Sequence, residues 1–404
     1  MLEVKDALAL VLDAASPLPS IEVPLAEALG RVLAESVLAD RDFPPTDRSA
    51  MDGFAVRAGD CASGAAVLAV AGELRAGQDP GAIAIGPGQA VRVFTGAMIP
   101  SGADAVVMQE LVVEDARTKS LTVKERPEAG QHVRRRGEDL LAGDTVCAEG
   151  QNLRAAELAA LAAVGRTRVR VIPKPTVSVL STGDEIVEVA AFPLPHQIRN
   201  SNATMLAALL RSMGVTPREL GIAGDDTAQL DAAMATGLGA DVFLLTGGVS
   251  VGAYDLVGDA LSRAGCELLF HNVAMRPGKP ILFARRGRCL VFGLPGNPVS
   301  ALTGFHVFVA PALRKMMGEA NPVAGLVRAT LEVELRRRPG RLTFHLARIH
   351  HVDGAPFVSP IASASSGDLL SLVHANAFIV APGDPAPIAE GVPVDVLPWN
   401  SRYD

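Results

Sequence analysis

The chain has 404 residues, of which 49% are hydrophobic, and its formal net charge is −7. That length implies several domains with ample material for packed cores, while an aromatic content of 4% leaves the filling of those cores to Leu, Val and Ala. The acidic balance argues against general binding to nucleic acid, where basic surface supplies most of the affinity.

Residues 3–15 and 24–39 carry helical periodicity, through Val4, Ala7, Leu8, Val11 and Leu12 and then Leu25, Leu29 and Leu33. From about 50 to 145 the texture changes to short β-like runs between glycines, at Ala66–Ala71, Ala90–Phe94, Ala105–Gln109 and Leu121–Glu125. Helical pattern returns at Arg154–Val164, followed by a strand at Thr167–Ile172. The simplest organisation makes residues 43–139 a small β domain inserted into a helical region formed by 1–42 and 140–172. Pro173 and Pro175 then mark a boundary. Beyond them strands at Thr176–Ser181, Val215–Ala223 and Asp241–Thr246 alternate with helices at Asn202–Met213, Thr227–Thr236 and Asp255–Ala264. Strands at Ile281–Arg285 and Cys289–Leu294 and a helix near Val299–Met317 complete residues 173–319. This alternation implies a doubly wound, mostly parallel α/β sheet. Residues 320–404 turn β-like again, at Val327–Leu335, Leu342–Ile349, Ala377–Ala381 and Val392–Leu397, and suggest a β-barrel or sandwich.

No apolar run is long enough to cross a bilayer, and the opening Met1-Leu2-Glu3-Val4-Lys5-Asp6 lacks a signal-peptide core. Cys61, Cys147, Cys266 and Cys289 show no CxxC spacing, so reduced, buried thiols are expected. A cytoplasmic location follows as the expectation. No zinc-ligand pattern is visible, and the pair His350-His351 falls in strand-like sequence.

The chemistry gathers where the α/β strands end. Ser181-Thr182-Gly183-Asp184-Glu185 follows the first strand and Gly224-Asp225-Asp226 the second. Thr246-Gly247-Gly248-Val249-Ser250-Val251-Gly252 follows the third, and Gly293-Leu294-Pro295-Gly296-Asn297-Pro298 closes the last. One such cluster could be a helix cap, but four on one rim indicate a binding crevice, since ligands of open α/β sheets sit beyond the carboxyl ends of the strands. Glycines let a backbone approach an anion closely, and N–H groups at a helix start favour phosphate. Glu185, Asp226 and Asp255 are hard oxygen donors without a neighbouring His or Cys, a set suited to Mg²⁺ bridging carboxylates to substrate phosphates. Lys279, held in Pro277-Gly278-Lys279-Pro280, and Arg276 would grip an anion. The run Arg134-Arg135-Arg136 is either a further anion contact or a solvated surface. There is no GxSxG elbow and no GxxxxGK[ST] loop. Metal-assisted transfer at a phosphate-bearing substrate is the reaction class left.

Together with Asp42-Phe43-Pro44-Pro45, Ser49-Ala50-Met51-Asp52-Gly53-Phe54-Ala55, Phe94-Thr95-Gly96-Ala97, the run Gly102–Glu110, Arg134-Arg135-Arg136-Gly137-Glu138-Asp139 and Ala375-Asn376-Ala377-Phe378-Ile379-Val380, these motifs resemble the molybdopterin molybdenumtransferases of the MoeA type. The eukaryotic relatives of that family include the E domain of gephyrin. The resemblance implies insertion of molybdate into adenylylated molybdopterin with release of AMP, and Mg²⁺ as cofactor. It places the pterin nucleotide on Thr246, Gly247, Gly248, Ser250 and Gly252, with Ser250, Asp226 and Asp255 around phosphate and Mg²⁺. Lys279, Arg276, Pro295, Pro298 and Ser300 would approach the molybdate, with Arg341 and Ser366 as further candidates. Asp52, Thr95, Asp139, Glu185 and Lys279 carry the catalytic expectation, and Glu185, Asp226 and Asp255 the metal. By itself Asp52 is a turn aspartate before Gly53. A homodimer and a transient contact with the molybdopterin adenylyltransferase are implied as well.

Four positions depart from the family pattern. Arg276 replaces a usual lysine, Phe54 a common tyrosine and Asn200 a usual aspartate, while Leu346 stands where arginine is frequent. A molybdopterin adenylyltransferase would use a related α/β domain alone, without the Met51–Asp52 and Arg134–Asp139 regions. A receptor-anchoring scaffold or a pterin carrier without turnover are the readings from other classes, and neither would release AMP in response to molybdate.

Overall fold

The spacing of Val4, Ala7, Leu8 and Val11 becomes helix α1 (Val4–Ala14) in a computed structural model that describes residues 1–62, 65–248, 256–363 and 365–399. Ala7 and Val11 are fully buried on one face of it, as an amphipathic stripe requires. The chain divides into two compact units, one comprising Met1–Val23, Ala28–Ala34 and Arg170–Asp404, the other Pro24–Glu27 and Glu35–Val169. The sequence groups α1 with residues 24–42 and 140–172, but α1 belongs to the larger unit.

The smaller unit is built on a six-stranded sheet. Its strands are β1 (Gly53–Val56), β2 (Ala66–Leu74), β3 (Gln89–Val93), β4 (Ala105–Met108), β5 (Val112–Asp115) and β6 (Ser120–Val123). Their order is β4-β1-β3-β2-β6-β5, antiparallel except for the β2–β3 pair. β1 is buried along its whole length. A Cβ at Gly53 would lie 2.0 Å from the Val107 carbonyl oxygen, so only glycine permits β1 and β4 to pair this closely. The helix expected over 24–39 is absent. Leu25–Glu27 forms one 3₁₀ turn and Gly30 turns left-handed at φ +70°. Val37–Leu38 then pairs as a short strand with Thr145–Cys147. The leucines that suggested a helix do not share a face, since Leu29 is 59% exposed and Leu33 is buried. Helix α2 (Ala155–Ala163) lies close to its expected place, with Glu157 reaching back to the Arg154 backbone.

The larger unit contains a second six-stranded sheet. Its strands are β7 (Val177–Thr182), β8 (Pro217–Ala223), β9 (Val242–Thr246), β10 (Glu267–His271), β12 (Leu282–Arg286) and β13 (Cys289–Leu294), with β11 (Met275–Arg276) branching off between them. The order is β8-β7-β9-β13-β12-β10. The first four strands are parallel, and β12 pairs antiparallel with both β13 and β10. β7, β9 and β13 are buried at every residue, the continuous apolar run that a sheet covered on both faces demands. Val177, Val179, Val242 and Leu244 pack with Leu206 and Leu210 of α3 (Ser201–Ser212). The alternate residues Leu180, Phe243 and Leu245 pack with Leu230 and Met234 of α4 (Thr227–Gly237) and with Val257 and Leu261 of α5 (Leu256–Arg263). The period-2 alternation of strand side chains thus sends neighbouring residues into separate cores. The long helix expected after β13 is realised as α6 (Pro298–Gly304), a π segment Phe305–Val309 and α7 (Ala310–Met316).

A closed barrel follows. β14 (Val327–Leu331), β15 (Leu342–Val352), β16 (Ala355–Pro360), β17 (Ala377–Ala381) and β18 (Pro393–Pro398) run in the order β15-β16-β14-β18-β17, and β17 pairs back onto β15. Closure leaves no free edge among these strands. β11 adds to this sheet at the start of β15, ahead of the residues that pair with β16, with Met275 beside Leu342 and Arg276 beside Thr343 in parallel. That short pairing carries Arg276 from the α/β sheet to the start of β15.

Candidate functional site

The parallel strands β7, β8, β9 and β13 all end on one rim, and each delivers a loop there. After β7, Gly183 adopts φ +137°, and a Cβ on it would lie 2.4 Å from a Glu185 carboxylate oxygen. After β8, the Asp225 amide donates to Asp184 Oδ1 at 2.9 Å, and Asp226 Oδ1 caps α4 by accepting from the Gln229 amide at 2.9 Å. After β9, Thr246 is buried, and Gly247 and Gly248 take φ values of +92° and +65°. A Cβ on Gly247 would meet the Thr182 carbonyl oxygen at 2.2 Å, and one on Gly248 would come within 2.7 Å of Thr182 Oγ1. Ser250, Gly252 and Asp255 lie outside the described residues.

Two asparagines knit the rim together. Asn202 Nδ2 donates to Thr246 Oγ1 at 3.0 Å and to the Gly296 carbonyl at 2.7 Å, joining α3 to the loops after β9 and β13. Ser181 Oγ bonds Asn200 Oδ1 at 2.9 Å, and Asn200 caps α3. Asparagine in place of the family's aspartate therefore keeps the cap while removing a charge. Thr182 Oγ1 is buried with no partner among the described residues, an unmet donor and acceptor directly beneath the glycine turn.

Two cavities open beside this rim. One, of about 590 Å³, is lined by Glu185, Asn200, Asn202, Asn297 and Pro298 among others. The second, of about 520 Å³, brings together Arg276, Lys279, Pro295, Ser300, Arg341 and Ser366, six residues that the sequence singled out from four separate stretches. Asn297 lines both cavities, and its Nδ2 donates to Ser366 Oγ at 2.8 Å. Arg338 also lines the second cavity and, among the described residues, no carboxylate does. Four cationic side chains around a space with no counter-charge among the described residues create a positive potential that favours an anion. Arg276 Nη1 is buried there without a hydrogen-bond partner among the described residues, and unmet buried donors are rare enough in folded proteins to point to a missing acceptor. Leu346 is buried at the cavity wall, so the barrel contributes Arg341 but no cation at that position.

Asp52, Thr95 and Asp139 belong to the smaller unit. The Thr95 amide and hydroxyl both donate to Asp52 Oδ1 at 2.7 Å, and these two bonds, led by the amide, hold the Asp52 carboxyl below the usual carboxylate range. Asp139 pairs with Arg134, which also bonds Glu138 at 3.0 Å. Arg135 pairs with Asp47 at 2.7 Å and Arg136 with Asp42 at 2.5 Å. The basic run is thus a network neutralised by carboxylates of its own unit. Sequence reasoning missed Arg338, His345, Asn202 and Asn297. The triple Arg336-Arg337-Arg338 was a visible signal for the first, whereas nothing in the sequence distinguished His345 from other strand histidines.

The glycine turn gives a first expected result. Gly247→Ala forces a left-handed side chain against the Thr182 backbone, at about 1–3 kcal/mol for the conformation alone, with the steric overlap added. The urea midpoint of unfolding should fall accordingly. An unchanged midpoint would mean that the turn does not require glycine.

Comparison with known proteins bears on the whole chain. Residues 2–165 match the MoeA N-terminal region (domain I and II), 178–315 a probable molybdopterin binding domain, and 328–399 the MoeA C-terminal region (domain IV). The molybdopterin molybdenumtransferase of Bacillus subtilis (strain 168) is 36% identical over 381 residues, covering 93% of this chain and 89% of that protein. The protein of the same name from Staphylococcus aureus (strain MRSA252) is 34% identical over 402 residues, covering 98% and 94%. A crystal structure of the molybdopterin biosynthesis MoeA protein from Pyrococcus horikosii superposes with a TM-score of 0.84 at 31% identity, over the full length of both chains. With sequence identity of this extent and the fold matched from end to end, the chain belongs to the MoeA family.

Proposed function

We propose that this protein is a molybdopterin molybdenumtransferase of molybdenum cofactor biosynthesis, which inserts molybdate into adenylylated molybdopterin and releases AMP. The observation that carries the reading is the cavity with Arg276, Lys279 and Arg341 on its walls and, among the described residues, no carboxylate, together with a buried Arg276 Nη1 that lacks a hydrogen-bond partner among those residues. A tetrahedral dianion fits such a lining, because guanidinium forks and an ammonium can share its oxygens. The neighbouring cavity shares Asn297 with it, and the Thr246–Gly248 turn stands on the same rim. A pterin nucleotide lying across the rim would hold its sulfur atoms toward the molybdate.

Mg²⁺ would be held by Glu185 and Asp226, with Asp255 beyond the described residues. Their hard oxygens suit the ion, and among the described residues no three His, Cys, Asp or Glu form a closed metal cluster. An ion bound by few protein ligands and completed by substrate phosphates is the ordinary arrangement for magnesium. When bound it would neutralise phosphate charge. The chain's own residues bind, orient and shield the anions, and Asp52, kept ionised by Thr95, stands with Thr95 and Asp139 as the catalytic candidates of the smaller unit. A homodimer and a transient contact with the adenylyltransferase remain part of the proposal. Among the described residues no helix is long and apolar enough to cross a membrane.

The test is incubation of the protein with adenylylated molybdopterin, Mg²⁺ and molybdate. AMP release that requires molybdate, and that is lost on chelating Mg²⁺ and restored by adding it back, is the expected result. AMP attachment to free molybdopterin, or release indifferent to molybdate, would overturn the assignment.

A further inference from the structure

His345 stands where two cavities meet. Arg276, Arg338 and His345 line both the 520 Å³ cavity and an adjoining one of about 500 Å³, whose other walls are Arg336, Arg337 and Thr343. His345 follows the buried Phe344 and precedes the buried Leu346 on β15, its side chain on the opposite face of the strand from theirs, and the pairing of Arg276 with Thr343 fixes β11 alongside. Its Nε2 is buried and, like Arg276 Nη1, has no hydrogen-bond partner among the described residues.

The charges that act most strongly on this ring are guanidiniums. Arg276 faces it from β11 and Arg338 from the segment before β15, while Arg341 and Lys279 line the same cavity. Arg336 and Arg337 stand on the adjoining cavity, paired with Glu334 at 3.7 Å and Asp384 at 3.5 Å, and among the described residues no carboxylate lines either cavity. Burial first, and then the two nearest guanidiniums, push the His345 imidazole below its ordinary proton affinity. The pocket without an anion therefore holds a neutral ring. A dianion entering between those guanidiniums cancels their repulsion and adds an attraction of its own, so the charged ring becomes the favoured form.

We propose that His345 takes up a proton as a tetrahedral dianion settles between Arg276 and Arg338, and donates an Nε2–H hydrogen bond to one of its oxygens. The inference rests on the reading of this cavity as the molybdate site. It makes oxyanion affinity proton-linked, stronger at lower pH, through one residue whose nearest charged neighbours are the guanidiniums of Arg276 and Arg338.

Titration calorimetry with molybdate, in buffers of different ionisation heat at pH 7.5, measures the linkage directly. The wild-type protein should take up a fraction of a proton, approaching one, for each molybdate bound. On the alkaline side its affinity should fall by up to about tenfold per pH unit. His345→Gln keeps a donor but cannot titrate, so both the uptake and the slope should vanish while molybdate still binds. Nitrogen-15 NMR of the histidine rings in the intact wild-type protein gives a check independent of any variant: one buried ring should change from neutral to doubly protonated on adding molybdate. Molybdate binding with no proton uptake and no ring change, or uptake that persists in His345→Gln, would overturn this inference and leave the oxyanion pocket standing. Absence of any molybdate binding would overturn both.

Discussion

Arg276→Ala and Lys279→Ala should each lower kcat/KM for molybdate by roughly 10²-fold, with little change in the thermal midpoint of unfolding. Truncating a charge-assisted contact to a desolvated ion typically costs about 2–5 kcal/mol, and each 1.4 kcal/mol is tenfold in rate or affinity. Arg276 should be the more sensitive, since its Nη1 is buried and unmet, whereas Lys279 is exposed and stands beside the left-handed Gly278. The sign of the stability change separates function from structure. Both residues sit in a cavity lined by cations with no carboxylate among the described residues, so removing either relieves repulsion rather than breaking an ion pair. Stability should hold or rise slightly while activity falls, the usual trade at a site built for a charged ligand. Steady-state rates at varied molybdate, alongside differential scanning fluorimetry, read both quantities. A variant losing activity and thermal stability together would indicate that the side chain supports the fold instead. Lys279→Arg should recover only part of the loss, because a planar fork replaces a compact charge.

What the sequence made legible was mostly local. The unbroken apolar run Val242–Leu245 reads as a covered parallel strand, and its glycine turn must follow. Lys279 between two prolines stands out because the backbone is fixed around it. The helix expected over 24–39 failed for a tertiary reason: Leu25, Leu29 and Leu33 match a helical stripe, yet Gly30 turns the chain and Val37 finds a strand partner at Cys147, more than a hundred residues away. β16 escaped notice because Pro356 and Pro360 sit within it, and proline demotes a strand in sequence. It is tolerated here in a six-residue strand of mostly partial burial. Barrel closure, β17 returning to β15, is a pairing between distant segments that no local pattern encodes. The roles of Arg338 and His345 depend on that closure and on the pairing of Arg276 with Thr343, and so become visible only once the strands are assembled.

Acid should weaken the larger unit through His306, and the effect is opposite in sign to that of a salt-bridged histidine. This residue lies in the π segment between α6 and α7, stacked on Trp399 at 6.0 Å and edge-on to Phe305 at 5.6 Å and Phe378 at 6.4 Å. Its Nε2 and Trp399 Nε1 are buried without hydrogen-bond partners among the described residues. Burial, and secondarily Arg314, lower its pKa from 6.5 to about 4. At pH 7 the ring is neutral in both folded and unfolded chains, so no penalty applies. As pH falls below 6.5 the unfolded chain accepts a proton that the folded one refuses, and stability drops by about 1.4 kcal/mol per pH unit until the folded ring titrates near 4. By pH 5 the loss from this group is about 2 kcal/mol. His306→Phe keeps an aromatic ring in the cage and removes the titration. Carboxylates with lowered pKa, among them Asp42, Asp47 and Asp52, also act on stability in acid, but they do so equally in both proteins. The difference between wild type and His306→Phe in urea unfolding at pH 7 and pH 5 therefore isolates the histidine. It should shift by about 2 kcal/mol in favour of the variant on acidification. A difference that stays constant across that interval would mean His306 is protonated alike in both states, and that the aromatic cage is open to water.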